Sequence, residues 1–599
     1  MVRRIGRLIM SNTAHCQQQA APENQYDCAI MVTCVAGKRS IAILMMLGGL
    51  SGAAAGQTQT PTQIQIDVDV AKVIGEYKPV WNYFGADEPN YTYAPGGAKL
   101  MGELGAINPG VPVYFRPHNL LTSGDGTPAL KWGSTNAYTE DANGKPVYDW
   151  AITDKLFDNL KSAGVRPMVE IGFMPEALSP HPKPYQHTFP NGDISTGWAY
   201  PPKDYAKWRA LIVAYVTHLR ERYGAAVDTW KWEVWNEPDI SYFHGTVEEY
   251  EKLYDVTTGA IRQVLPKAIV GGPGVTGGGE NKNFLRLFLE HCARGTNADS
   301  GKPGAPLDFI SYHPKGSPKF IQPMTPGDPG HVRMNLGRQL ALTDTGMKTI
   351  ASFPEWKHTP IILSETDPEG CAACKGPQNG YRNGPLYGVS VAEMLARSAE
   401  LGRLRGVNLQ GAVTWAFEFE NQPYFAGFRE LATDGPEGLI DKPVLNVFRM
   451  FGKLSGSLIS LTSNGAQEVA DIEKNSVPGD PDISGIATKS GNSVGIILWN
   501  YHDEDVTALD AKVALVIANV PGKTVHVTRF LMDAHHSNAY AAWLAMGSPQ
   551  HVTPQQMATL QKASGLEAVE KQTLRRTDGP LTLTALLPRQ AVELVQLSW

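Results

Sequence analysis

An eight-stranded parallel (β/α)8 barrel carrying an accessory all-β sandwich is the fold the sequence predicts, and three patterns predict it. From Val80 onwards, eight short, nearly continuous apolar runs (80–86, 111–118, 166–173, 229–238, 268–274, 308–314, 360–367 and 411–419) alternate with helix-length segments, as expected of strands buried on both faces and joined by crossovers. Two of these runs close on a glutamate, Asn236-Glu237-Pro238 and Ser364-Glu365-Thr366, and strand ends at one face are where a barrel presents reactive groups. No dinucleotide fingerprint follows the first run, which removes the main reason to prefer an open doubly wound sheet.

In chain order, residues 1–30 show no periodicity. A basic pair, Lys38-Arg39, then precedes an apolar stretch over 41–50 and the small residues Ser51-Gly52-Ala53-Ala54-Ala55-Gly56. This is the pattern of a secretory signal peptide, too short to span a membrane, and it predicts export to the periplasm or beyond with cleavage near Ala55. Met31, just upstream of the basic pair, is the expected translation start; a long leader or an uncleaved anchor are the alternatives. The expected division is a leader over 1–56, an N-terminal strand over 57–78, the barrel over 79–450 and the sandwich over 451–599.

The run Gln63-Ile64-Gln65-Ile66-Asp67-Val68 alternates with period two, predicting a half-buried antiparallel strand that joins the distant sandwich. Within the barrel, a short helix over 151–163 presents Ile152, Leu156, Phe157 and Leu160. Asp204 N-caps a helix with Trp208, Leu211, Ile212, Tyr215, Val216, Leu219 and Tyr223 on one face, ended by Gly224. Thr246 and Glu249 form a capping-box pair at the next. The glycine-rich run over 271–279 lacks the Lys-Ser/Thr ending of a phosphate loop and reads as a mobile loop after the fifth strand. Beyond about 450 the runs at 494–499, 511–517 and 591–597 read as sandwich strands, with a short helix near 537–563.

With 42% hydrophobic residues and a net charge of −6, the chain offers no basic surface for nucleic acid and no acidic disordered block. A small neutral or weakly charged partner fits better. No metal-ligand spacing appears in the barrel and no cofactor motif is found, so neither metal nor cofactor is expected. Of the six cysteines, Cys16, Cys28 and Cys34 lie in the leader. Cys371-Ala372-Ala373-Cys374 follows Glu365 closely; an export route permits a local disulfide there, with two ordinary thiols or metal or redox chemistry as the other readings. Cys292 reads as a buried small hydrophobe.

The segments around the two glutamates extend this reading. Tyr114-Phe115-Arg116-Pro117-His118, residues 171–178, 230–239, Asp308-Phe309-Ile310-Ser311-Tyr312-His313-Pro314, 361–365 and Val413-Thr414-Trp415 fall in order at strand ends across about 110–420. As a set they resemble glycoside hydrolase family 39, the family of β-xylosidases and α-L-iduronidases. The resemblance implies a retaining exo-glycosidase acting on an oligosaccharide or polysaccharide, most simply a β-xylosidase removing terminal pentose from hemicellulose oligosaccharides. It assigns Glu237 as general acid/base and Glu365 as nucleophile, and places Asn236 on the sugar 2-hydroxyl, with Arg116, His118, Tyr312, His313 and Trp415 around the substrate. Two departures bear on the sugar: Lys315 stands where many relatives carry an aromatic residue, and Glu418-Phe419-Glu420-Asn421 replaces an acidic pair placed further on in xylosidases.

Each residue also has a plainer reading. A single strand-end glutamate is commonly a salt-bridged rim residue, His118 and His313 fit as satisfied core histidines, and Trp415 fits as barrel core. Arg116 suits bracing Glu365 or Asn236 better than touching sugar, and Glu176, Glu418 and Glu420 are equally consistent with either role. An arabinosidase, an exopolysaccharide glycosidase and a non-catalytic carbohydrate-binding barrel are the alternative functions.

Overall fold

The structure, a computed structural model, describes residues 63–599; the leader, its cleavage site, Met31 and the first three cysteines lie outside the described residues. The described residues open with β1 (Gln63–Glu76) and then enter the barrel through β2 (Tyr83–Ala86), β3 (Tyr114–Pro117), β4 (Arg166–Ile171), β5 (Lys231–Val234), β6 (Ile269–Thr276), β7 (Phe309–His313), β8 (Pro360–Leu363) and β9 (Asn408–Thr414). These eight strands are parallel and the barrel is closed, β9 pairing with β2. Helices α1 (Pro95–Ala106), α2 (Ala151–Ser162), α3 (Tyr205–Tyr223), α4 (Val247–Val264), α5 (Phe284–Arg294), α6 (Leu336–Ala351), α7 (Pro385–Arg405) and α8 (Pro443–Phe451) surround it.

Local chemistry sets the helix ends. The Asp204 carboxylate accepts from the N–H groups of Ala206 and Lys207 at 2.9 and 3.0 Å, satisfying two donors that the first turn of α3 leaves free. Thr246 and Glu249 close a reciprocal capping box on α4. No described helix is long and apolar enough to cross a membrane.

Because side chains alternate along each strand, the barrel interior is layered. Tyr83, Tyr114, Met168, Phe309, Ile362 and Val413 form an apolar floor, while Phe84, Phe115, Val169, Trp232 and Ile310 point outward into the helix layer. One step up each strand, the inward positions become charged: Arg116, Glu170 and Glu233 are fully buried there. The glycine-rich run is not a loop as expected. Residues up to Thr276 belong to β6, which carries a bulge between Pro273 and Val275, with Gly274 at φ +61°. Glycine makes that conformation accessible, and the run is short of side chains because its backbone packs against Phe309 and the site above.

After α8 come β10 (Ser457–Ser463), β11 (Asp482–Ser490), β12 (Ser493–Tyr501), β13 (Ala511–Ala518), β14 (Thr524–Met532), β15 (Glu567–Arg575), β16 (Leu581–Leu587) and β17 (Ala591–Ser598). Rather than two separately bonded sheets, they make one nine-stranded sheet in the order β15-β14-β17-β12-β11-β10-β1-β13-β16. Apolar residues from both its ends, among them Ile66, Val68, Leu515, Val527 and Leu583, share one core, so the sheet curls on itself like a sandwich. β1 is antiparallel to β10 and parallel to β13, which ties the first described strand to the C-terminal region. In β12, Val494, Ile496 and Leu498 enter that core while Ile497, Trp499 and Tyr501 face the barrel's helix layer. This double burial explains the unbroken apolar run there. Two helices, Ala539–Ala545 and Pro554–Ser564, stand in the region expected to hold one.

Candidate active site

Glu237 is delivered by a backbone that leaves ordinary geometry at the end of β5. Trp235 and Glu237 have φ of +67° and +44°, conformations that cost a non-glycine residue on the order of 1–3 kcal/mol each and persist only where the surroundings over-determine them. The Trp235 N–H donates to the Ile171 carbonyl at 3.1 Å and the Glu237 N–H to the Gly274 carbonyl at 2.9 Å. The β6 bulge is what presents that second carbonyl. Glu365 follows β8 directly and is held on both sides: Ser364 N–H donates to the Tyr312 carbonyl at 3.1 Å and Thr366 N–H to the Val413 carbonyl at 2.9 Å.

Arg116, wholly buried, reaches both Glu365 and the Asn236 that precedes Glu237. Its guanidinium pairs with Glu233, with Glu170 at 2.8 Å and with Glu365 at 3.2 Å, and donates to Asn236 Oδ1 at 3.1 Å. Burial works against its charge, but Glu233, Glu170 and Glu365 hold its pKa above the ordinary guanidinium value. Because Asn236 Oδ1 is engaged by Arg116, the Asn236 amide N–H₂ is turned to the open side. His313 joins the glutamates, with Nδ1 at 2.9 Å from Glu237 Oε1 and 3.9 Å from Glu365 Oε1, and Nε2 at 3.0 Å from Ser364 Oγ. Carboxylate oxygens of Glu237 and Glu365 lie within 4.8 Å of one another.

The electrostatics separate the two carboxyls. Burial alone would push Glu365 up, yet Lys315, His313 and His118 outweigh it and hold its carboxyl well below the ordinary range. Lys315 Nζ pairs with Glu365 Oε2 and stands 3.8 Å from Asp367. His118, 3.3 Å from Glu365 and 3.1 Å from Glu170, is likewise kept well above the usual imidazole range, the penalty of burial being overcome by Glu170 and Asp87. An anionic carboxylate ringed by cations therefore faces Glu237, whose side chain is the more open of the two. Glu237, His313 and Glu365 also stand close enough to share an ion, but Arg116 and Lys315 already neutralise Glu365, so acid/base work fits the trio better.

Trp415 lies against His118, ring centres 4.2 Å apart, with the Arg116 guanidinium 5.1 Å above its face. Beside His118 opens a small cavity lined by Asp87, Lys131, Trp132, Phe173, Trp198 and Tyr242. Lys131 pairs with Asp87, which in turn holds His118 Nδ1 at 3.0 Å.

One of the sequence assignments changes. Tyr312 does not line the site: β7 turns Phe309 and His313 inward, so Tyr312 points out to α6, where its hydroxyl donates to the Thr343 carbonyl at 2.6 Å. Arg116 is fully enclosed and contacts Glu365 and Asn236, the bracing role preferred for it in the sequence over contact with sugar. Glu176 is an exposed rim residue, and Glu418 and Glu420 belong to a separate carboxylate group. Cys371 and Cys374 are disulfide-bonded and Cys292 is free and buried. The bridge does not act alone in fixing its loop, because the Arg382 guanidinium donates to the carbonyls of Cys371, Ala372 and Cys374 at 2.6–3.1 Å.

Removing the cation on Glu365 gives a direct test of this electrostatic account. In Lys315→Met, burial should raise the Glu365 pKa and move the acidic limb of kcat/KM upward by about one pH unit or more. The sign follows from linkage: a carboxyl depressed in the fold stabilises it above the unfolded pKa of about 4.3 and ceases to do so as pH falls through the folded value. The variant should accordingly lose part of the wild-type advantage near neutral pH. An unmoved acidic limb would show that Lys315 does not set the ionisation.

Comparison with known proteins agrees with this geometry. The family model described as glycosyl hydrolases family 39 matches residues 129–579. A β-xylosidase of Geobacillus stearothermophilus is 27% identical over 501 residues, covering 81% of this chain and 86% of that protein. An α-L-iduronidase of Mus musculus is 26% identical over 390 residues, 57% of this chain and 54% of that one. Among solved structures, the monomeric β-xylosidase of Caulobacter crescentus superposes with a TM-score of 0.68 at 22% identity, covering 89% of this chain and 99% of its own. The GH39 enzyme of Xanthomonas axonopodis pv. citri gives 0.68 at 21% identity, covering 91% and 99%. At these identities the superpositions speak for the fold.

Proposed function

Because the chain belongs to glycosyl hydrolases family 39, we propose that it is an exo-β-xylosidase that releases terminal pentose from hemicellulose oligosaccharides with retention of configuration. The observation that carries the stereochemistry is the closeness of Glu237 and Glu365: retaining pairs stand about 5–5.5 Å apart, whereas inverting pairs need roughly 6.5–9.5 Å to admit water. The substrate class draws on the β-xylosidase relatives, at 27 and 28% identity.

In the first step Glu365 attacks the anomeric carbon while Glu237 gives its proton to the leaving oxygen, so the C–O bond breaks as the glycosyl–carboxylate bond forms. Glu365 then carries no charge, and the cations around it, poised for an anion, favour its release. In the second step Glu237, now ionised, takes a proton from water, whose oxygen displaces Glu365 from the same carbon. Asn236 offers its N–H₂ to the 2-hydroxyl, a contact that gains value as charge develops at the neighbouring carbon.

Lys131 and Lys315 favour a second reading, an acidic glycoside, in keeping with the α-L-iduronidase relatives. Both ammonium groups are already paired, with Asp87 and with Glu365, which leaves less charge for a substrate carboxylate. A panel of nitrophenyl glycosides separates the two, with β-xyloside expected to be cleaved faster than any uronide. Proton NMR of the first-formed product should show the anomer of the substrate; initial inversion would mean that Glu365 activates water. The basic pair and apolar stretch near residue 40, together with the Cys371–Cys374 disulfide, support a periplasmic or secreted enzyme.

A further inference from the structure

We infer that Glu418, Glu420 and Asp434 form a binding site for a hard divalent cation, calcium, that fastens the segment after β9 to the segment leading into α1. One carboxylate oxygen from each lies within 4.8 Å of the others. Oxygen ligands at 2.3–2.6 Å from a calcium ion stand no further apart than about 5 Å, so one ion can reach all three. An acidic cluster alone would not suffice, but Glu418 adds a separate observation. It is 1% exposed, and neither of its carboxylate oxygens has a hydrogen-bond partner. A buried, unpartnered carboxylate is costly unless it is neutralised or coordinated.

The surroundings supply more negative charge, not less. After burial itself, the strongest influences on Glu418 are Glu420, Asp434, Glu430 and Glu88, and all push its carboxyl well above the ordinary range; Asp434 is pushed up to about 6, by burial and then by Glu420 and Glu430. Glu430 has its own cation in Lys442, 3.0 Å away, whereas Lys99, the cation acting on Asp434, is half exposed. The positive end of α1 is already used: the N–H groups of Gly96 and Gly97 donate to Glu420 Oε1 at 2.7 and 3.3 Å, leaving Oε2 free.

Glycine at 96 and 97 lets these groups close in. A Cβ at Gly97 would stand 2.8 Å from Glu418 Oε1 and would also meet the Tyr91 carbonyl, and one at Gly96 would meet Asp434. The Tyr91 carbonyl oxygen is thus a neighbour of Glu418 and a natural fourth ligand. Three carboxylates with a backbone carbonyl suit calcium, which accepts six to eight oxygens in flexible geometry, better than magnesium, which retains several waters. The ion would act on the site through the chain. Glu418 lies three residues after Trp415, and Tyr91 lies just after Asp87 and Glu88, which hold His118 and the Lys131 segment.

The test is calcium titration of the full-length, chelator-stripped protein. Wild type should gain about 3 °C or more in Tm with millimolar calcium chloride, and calorimetry should count one ion per chain. Asp434→Asn and Glu418→Gln should each abolish the gain. Glu365→Gln should keep it, which separates this site from Glu237, His313 and Glu365. No gain in the wild type, an equal gain from sodium chloride at matched ionic strength, or loss of the gain in Glu365→Gln alone would overturn the proposal. So would a Glu418→Gln protein more stable than a calcium-indifferent wild type, since that is the signature of a carboxyl that is simply protonated.

Discussion

Glu365→Ala is expected to abolish turnover of every glycoside, by on the order of 10⁴-fold or more, whereas the effect of Glu237→Ala depends on the leaving group. The nucleophile is needed for each bond made at the anomeric carbon, so its loss cannot be offset by a better substrate. General acid catalysis contributes roughly 10²–10⁴-fold, and a nitrophenolate leaves without it. Glu237→Ala should therefore still form the glycosyl-enzyme from nitrophenyl glycosides, then stall for want of a base. Azide, which needs no base, should enter the space left by the carboxylate and rescue turnover, giving a glycosyl azide of the substrate's own anomeric configuration. With Glu365→Ala any azide product should have the opposite configuration. Equal, modest losses in both variants would refute the assignment. Glu365→Gln is the folding control, because alanine leaves Arg116, His118 and Lys315 facing a void without their shared anion.

The barrel was legible because each of its strands is buried on both faces, which writes an apolar run into the chain wherever one occurs. Alternation within those runs was equally available, and it would have placed Tyr312 outside: counting from His313, the tyrosine occupies the outward position of β7. The same count would have found Glu170 and Glu233, which share an inward layer with Arg116 because Glu170 pairs in register with Glu233. Glycine makes β6 ambiguous in sequence, since a bulge and a loop draw on the same backbone freedom. Closure of the barrel carries the rest. Asp87 and Lys131, separated by 44 positions, meet His118 only when the loops above β2 and β3 fold over the rim, and no local pattern encodes that meeting. Lys315 stands out in sequence as a departure from relatives, but its pairing with Glu365 arises only from the closed barrel. The single curled sheet was hidden for a similar reason, because β1 finds partners on both sides from the far end of the chain.

Arg116 is the residue on which stability and the proposed catalysis converge, and its substitution should separate the two. Through Nε, Nη1 and Nη2 it serves Glu233, Glu365, Glu170 and Asn236 at once. Arg116→Met leaves Glu233 buried without its cation and Glu170 with His118 alone, a situation that costs roughly 3–5 kcal/mol and should lower Tm by several degrees. Arg116→Lys retains a charge but not the planar fork, so it should recover part of the stability while leaving Asn236 and Glu365 unbraced. Its kcat should remain depressed on the order of 10²-fold, in line with the penalty for a misplaced reacting group. Pairing Arg116→Met with Glu233→Gln removes one stranded charge and should restore Tm towards that of the lysine variant without restoring kcat. If the double variant regained activity along with stability, the role of Arg116 would be confined to holding the fold together. Continued loss of kcat in a stable double variant would instead show that the buried guanidinium sets the position from which Glu365 attacks and Asn236 receives the sugar.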